Sequence, residues 1–385
     1  MKIKGVNLGG WLLMEGYILG GRNISESEFK KAFSAKNGEA ELAEFERLFR
    51  KNFIAKADFR NIALMGANSV RLPFNHRLLE KRPYVYDETG FEYIDEALTR
   101  AGENKLGVIL DLHAAAGSQN CDWHSDSPGN ALLWEKEEYR KRTYALWERI
   151  AERYKDCPSL IGYDVLNEPV MDIRRVPLLK EFYAGVIRKI RGVDKEHTIF
   201  LEGNLWAQQI DFLKGLIGDN TTISIHTYCP LDYTFNFVPC LDFPGKISGE
   251  IWSENKIRRY LETYDKFGRA NKIRLYVGEF GINWRGGRFG ELKWLDGILN
   301  AYDDYGFDYS YWTYKAVAGS QFPDGIYQFA GNNAYVKREG PVYGFENYIR
   351  LWKKEKNRIV DFWRTGNYTP NRQLISVLKK HFQKN

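Results

Sequence analysis

The run Ile161-Gly162-Tyr163-Asp164-Val165-Leu166 leads directly into Asn167-Glu168-Pro169. It is short and mostly apolar, as expected of a parallel strand buried on both faces, and it stops at a polar triplet. Seven similar runs lie on either side of it, at residues 3–8, 68–72, 107–112, 198–202, 222–226, 274–278 and 309–313. Amphipathic helices alternate with them. Tyr139, Ala145, Leu146, Ile150 and Tyr154 recur at helical spacing over 139–154, as do Leu178, Phe182, Val186 and Ile190 over 177–191. Ser25-x-x-Glu28 has the pattern of a capping box opening an early helix. A last helix is expected over 371–381, with Leu374, Val377, Leu378 and Phe382 on one face.

Eight strand–helix units without a break in composition predict an α/β fold, a single (β/α)8 TIM barrel across residues 1–385. An open doubly wound sheet should carry a glycine-rich phosphate turn after its first strand, and Gly9-Gly10 lacks the GxGxxG spacing. The aromatic-rich stretch at about 316–364 is expected to form a long loop over the barrel top, with an extra helix inside it.

Composition narrows the function. The 385 residues include 56 basic and 50 acidic side chains, so a net charge of +6 is too small an excess to imply a polyanionic partner. Basic stretches such as Arg188-Lys189-Ile190-Arg191 have the spacing of solvated helix faces, and no nucleic-acid motif accompanies them. No run reaches the ~20 apolar residues of a membrane span. Cys121, Cys157, Cys229 and Cys240 are scattered, without the spacing of a zinc site, and read as inert reduced thiols. Lys2 and Lys4 precede a partly apolar stretch, but Asn7 and Glu15 interrupt it, so it reads as a strand rather than a secretory leader, and a cytoplasmic location is expected. A leader removed earlier would make the protein secreted. Aromatics reach 15%, a surplus that suggests stacking platforms for a flat, weakly charged ligand.

Catalytic residues of a barrel sit at the C-terminal ends of its strands. Here those ends are polar: Arg71, His113, Asn167-Glu168, His226-x-Tyr228, Glu279 and Trp312. Glu168 and Glu279 can face one another across the barrel mouth. Two carboxyl groups about 5–5.5 Å apart suit double-displacement glycoside hydrolysis, one attacking the sugar and the other exchanging a proton. Arg71 and Tyr228 could keep the attacking group ionised. Asn167 can bond the hydroxyl beside the reacting carbon, and Trp312 offers a flat face to the ring. No metal and no cofactor is expected: Asp111-x-His113 lacks a further histidine pair at ligand spacing.

Gly5-Val6-Asn7-Leu8-Gly9-Gly10-Trp11-Leu12, Asp111-Leu112-His113 with Gly117-Ser118-Gln119-Asn120, Leu166-Asn167-Glu168-Pro169 and Val277-Gly278-Glu279 together resemble glycoside hydrolase family 5. The first two segments are most similar to its exo-β-1,3-glucanase branch. The resemblance implies retention of configuration, with Glu168 as acid/base and Glu279 as nucleophile. It implies that Arg71, His226 and Tyr228 support them and that His113, Asn167 and Trp312 line the reacting subsite. Glu15 and Asp122 match the branch's residues that hold the terminal sugar. The chain departs from the branch in a Cys121-Asp122-Trp123-His124 loop one residue shorter than usual, and in Phe280 where a tryptophan is usual.

The expectation is therefore a retaining β-glycosidase acting on β-glucan or β-linked gluco-oligosaccharides, closed at one end and exo-acting, with no protein, nucleic-acid or membrane partner. An endo-β-glucanase would have an open cleft instead. A glycolipid β-glycosidase would show an exposed apolar patch beside the cleft. A non-catalytic sugar-binding barrel would lack one of the two carboxylates. Trp11, Trp123, Trp206 and Trp284 are candidate sugar platforms or rim packing, His124 is read either way, and His76, His197 and His381 are read as structural.

Overall fold

The computed structural model describes residues 2–329 and 342–384. Eight parallel strands close into a barrel in sequence order: β1 (Lys4–Asn7), β2 (Ser69–Asn75), β3 (Gly107–Ala114), β4 (Leu160–Asp164), β5 (Thr198–Glu202), β6 (Thr221–His226), β7 (Leu275–Phe280) and β8 (Asp308–Tyr311). β1 pairs with both β2 and β8, which closes the ring.

The barrel interior changes character from bottom to top. Ile3, just before β1, packs with Ile109 of β3, Phe200 of β5 and Tyr276 of β7 in one small apolar cluster. Four side chains from alternate strands are how such barrels fill their interior. Side chains alternate faces along a strand, so the inward positions two residues on are Asp111, Glu202 and Gly278. The same two-residue period that seals the floor with hydrocarbon thus raises a charged layer above it.

The outer ring consists of α1 (Glu26–Asn37), α2 (Glu39–Phe53), α3 (Lys56–Leu64), α4 (Glu88–Glu103), α5 (Glu137–Tyr154), α6 (Val176–Val193), α7 (Glu254–Asn271), α8 (Glu291–Tyr305), α9 (Phe345–Phe362) and α10 (Arg372–Phe382). The capping box at α1 is formed: Ser25 Oγ accepts from Glu28 N, and Glu28 Oε2 accepts from Ser25 N. The ring is not eight equal units. Three helices precede β2, and the connection from β5 to β6 carries only a short helical turn, Asn204–Ala207, and a 3₁₀ stretch, Asp211–Leu216, in place of a long outer helix.

The aromatic-rich late segment departs from the expectation. Helix α9 does not cover the barrel top. It packs on the flank against α1 and α2. Phe345 stacks on Phe29 at 4.2 Å, and Trp352 and Trp363 meet Phe45 edge-on at 5.1 and 5.2 Å. The buried Lys315 binds this flank to the barrel, donating to Phe53 O, Trp363 O and Thr365 Oγ1. Much of the aromatic surplus is therefore core. The part of the expected loop at 330–341 lies outside the described residues.

Candidate active site

Arg71 is the hub of the charged layer. Its guanidinium is fully buried and donates from Nε to Asp164, from Nη1 to Glu279 (2.8 Å) and Asn7, and from Nη2 to Asn167 (2.8 Å) and Glu202 (3.0 Å). Asp111 lies 3.1 Å away. A buried guanidinium is tolerable only when its donors are matched in this way. The oxygens of Asp111, Asp164 and Glu202 also converge to within 4.8 Å of one another, a spacing that could hold a cation. Arg71 already contacts each of them and supplies that positive charge. Burial, then the neighbouring Glu202, pushes the Asp164 carboxyl well above its usual range, with Arg71 opposing.

Glu279, at the end of β7, is fixed from both sides. Arg71 holds Oε1, and the Tyr228 hydroxyl donates to Oε2 at 2.9 Å. Burial and then Glu279 itself hold the Tyr228 pKa well up, so the phenol remains a donor. The residue before Glu279 must be glycine: a Cβ on Gly278 would stand 2.8 Å from His226 Nε2. Glu168 sits just past β4 with φ of 44°, a conformation disfavoured for a side chain of its size. Two contacts enforce it. Its N–H donates to Glu202 Oε2 at 2.6 Å, and its carbonyl accepts from Asn120 Nδ2 at 2.9 Å. Backbone strain held in place this way marks a functional position.

His226 bridges the two glutamates, 2.7 Å from Glu168 Oε1 and 3.7 Å from Glu279 Oε2. Burial opposes its charge, but Glu202, Glu279 and Glu168 outweigh it and hold the imidazole well above its usual pKa. One oxygen each of Glu168 and Glu279 and one His226 nitrogen lie within 4.8 Å of one another. That spacing falls short of the roughly 6.5–9.5 Å at which an inverting pair seats its attacking water, and it fits direct attack by one of the carboxylates.

Around this pair His113 donates from Nδ1 to Asp111 at 2.7 Å and stacks on Trp312 at 5.5 Å. Burial pushes its pKa down to about 3, so it stays neutral. Glu15 is buried, and its Oε1 has no hydrogen-bond partner. Burial raises its pKa to about 8, with His124 opposing and Glu279 and Glu168 adding to the rise. Asp122 accepts from Trp206 Nε1 at 2.9 Å and lies 3.6 Å from His124. Every expected site residue thus belongs to one continuous network or lines the same cleft, a cavity of about 840 Å³.

Sequence reasoning missed Glu202, Tyr17 and the full role of His124. Glu202 closes its strand run as Glu279 does, so the strand-end rule applies to it equally. Tyr17 accepts the Trp312 indole N–H and carries no motif. His124 lies 3.5 Å from Glu168; burial opposes its charge, but Asp122, Glu168 and Glu15 prevail and raise its pKa to about 9. Two candidate platforms are corrected. Trp11 is buried, with its indole N–H on Arg50 O and its ring against Phe59, and Trp284 does not line the cleft; Trp123 and Trp206 do. His76, His197 and His381 bond to Ala114 O, Asp194 and Asp303 as structural histidines.

A carboxyl pair on strand ends four and seven of a closed barrel, held by arginine, tyrosine and histidine, defines a glycoside hydrolase. The chain matches the model of the cellulase family, glycosyl hydrolase family 5, over residues 31–317, and it belongs to that family. It is 30% identical to a β-xylosidase of Phanerodontia chrysosporium over 94% of this chain and 74% of the relative. It is 27% identical to cellodextrinase A of Ruminococcus flavefaciens over 79% and 83% of the two chains, and 27% identical to a probable glucan 1,3-β-glucosidase A of Aspergillus niger over 78% and 68%. Among solved structures, endoglucanase Cel5A of Thermotoga maritima shares the fold with a TM-score of 0.63 at 21% identity, covering 98% of this chain and 96% of that one.

Proposed function

We propose that this glycoside hydrolase is a retaining, exo-acting β-glycosidase of β-linked gluco-oligosaccharides. Glu279 attacks the anomeric carbon as nucleophile while Glu168 protonates the departing oxygen; Glu168 then takes a proton from the water that releases the sugar. The observation that carries this reading is the Glu168–Glu279 spacing within 4.8 Å, with Arg71 and Tyr228 both donating to Glu279. Arg71 and Tyr228 each donate to one oxygen of the nucleophile and fix its direction, and His226 orients Glu168.

Glu15 supports exo action. A buried carboxyl with an unpartnered oxygen lining a cleft is costly unless a ligand hydroxyl completes it. The Asp122–Trp206 hydrogen bond joins the loops after β3 and β5 across the end of β4 and narrows the cleft there.

The test is a 2-fluoroglucosyl fluoride that traps the intermediate, read by peptide mass. Label on Glu279 is expected; label on another residue removes the assignment. A time course on laminari- and cello-oligosaccharides then reads the mode of action. Glucose as the sole early product supports the closed pocket, whereas mixed intermediate lengths indicate an open cleft. An aryl β-xyloside turned over faster than the matching glucoside would move the substrate toward that of the Phanerodontia relative.

A further inference from the structure

Ten large hydrophobic side chains are strongly exposed among the described residues, and four of them, Leu231, Phe237, Val238 and Ile251, come from two short segments at the mouth of this one cleft, away from the Asp122–Trp206 bond. Leu231 and Phe237 line it directly; Ile251 lies between the lining residues Glu250 and Trp252. Chance scatter of surface hydrophobics does not concentrate them so.

This rim continues inward as an aromatic wall. Tyr228, whose hydroxyl touches Glu279, meets Phe235 at 4.8 Å, and Phe235 meets both Phe237 and Phe322 at 5.3 and 5.5 Å. The wall is prebuilt: Phe322 N donates to Phe235 O at 2.9 Å, and Asn236 Nδ2 to Ser320 O at 2.7 Å. Beside the apolar rim, Asp232 accepts from Ser248 and Glu250 pairs with Lys256, so these four polar groups are engaged with one another. A second sugar needs flat aromatic faces and free hydrogen-bond partners together. Exposed Leu, Val and Ile offer neither.

We infer that the leaving-group side of the cleft accepts an apolar aglycone, an alkyl or aryl chain, so that the enzyme also cleaves β-glucosides of apolar alcohols. The inference rests on the proposed roles of Glu168 and Glu279. The anomeric C–O bond breaks as the Glu279 ester forms, and the alcohol leaves with the proton of Glu168. Water then hydrolyses the ester, giving glucose and returning a proton to Glu168. No other reactant is required. The apolar chain lies along the Tyr228–Phe235–Phe237 wall and ends against the Leu231 and Ile251 rim.

The experiment measures kcat/KM for methyl, butyl, hexyl and octyl β-glucosides, all below their critical micelle concentrations, beside cellobiose and laminaribiose. These alcohols differ little in acidity, so chain length is the variable. The expected result is a rise of about two- to fourfold per added methylene until the wall ends, with a shallower rise in Phe237→Ser and Ile251→Ser. A flat series, or disaccharides preferred over octyl glucoside, overturns the inference while leaving the catalytic assignment intact. The octyl glucoside series is then carried past its micelle threshold; a rise seen only there also overturns the inference, since the rim would then be docking on a lipid surface. Failure to hydrolyse any glucoside, together with absence of label on Glu279, overturns the underlying reading instead.

Discussion

The floor and the mouth of the cleft are built on opposite plans. At the floor, Arg71, Glu202, His226 and the two glutamates are buried and share hydrogen bonds so densely that each group fixes two or three others. At the mouth Phe235, Phe237 and Phe322 are partly or largely exposed, and their side chains meet by ring contacts. The floor tolerates no movement, because charge placement sets the barrier. The mouth needs only shape and apolar area. Changes at the floor should therefore act on kcat, and changes at the mouth on the choice among substrates.

The hardest test of that contrast is Glu279→Gln. Loss of the nucleophile should reduce kcat by on the order of 10⁴–10⁶-fold with the fold unchanged by circular dichroism. Glu168→Gln should cost about 10²–10⁴-fold on unactivated glucosides, and Glu168→Ala should be rescued by azide with a β-glycosyl azide as product. An α-azide would mean that configuration is not retained. Glu202→Gln touches no substrate, yet it weakens the acceptor of the Glu168 N–H and a partner of Arg71. A fall of about 10–100-fold in kcat with little change in KM is expected, because a small displacement of the acid is expensive. If KM alone rises, Glu202 belongs to binding and the contrast fails.

Smaller effects lie toward the mouth. Trp206→Phe, which removes the bond to Asp122, should raise KM by about two- to tenfold and leave kcat within a factor of two. Glu15 gives a pH test. Its folded-state pKa is about 8 against an ordinary 4.5, so the folded protein holds a proton that the unfolded chain has released. Stability therefore falls as pH rises from about 4.5 to about 8. In Glu15→Gln that part of the slope should vanish, read as a gentler fall of Tm between pH 5 and 8. An unchanged slope would place the titration elsewhere.

The sequence resolves the floor better than the mouth, for a physical reason. Barrel strands are short apolar runs with polar ends, and all eight lie within three residues of their expected bounds. Glu168, Glu279 and Arg71 could be placed because strand ends point to one place. Loop residues have no such rule. Trp11 and Trp206 look alike in sequence, but the first turns inward to Arg50 O and the second outward to Asp122. The missing helix between β5 and β6 was hidden by assuming that every unit repeats. The aromatic-rich stretch 316–364 reads as a loop over the barrel top with a helix inside it, whereas that helix, α9, covers α1 and α2, a pairing across the whole chain that local patterns do not encode.

That pairing also bears on how the protein is made. Trp352 donates to Glu41, 311 residues earlier in the chain. At about 5–20 residues per second, the aromatic face of α1 and α2 is exposed for roughly 15–60 s before its cover leaves the ribosome. Until then Phe29, Phe33, Phe45 and Phe49 form an uncovered hydrophobic strip. The N-terminal helices therefore cannot bury this aromatic face until the C-terminal part of the chain has been made.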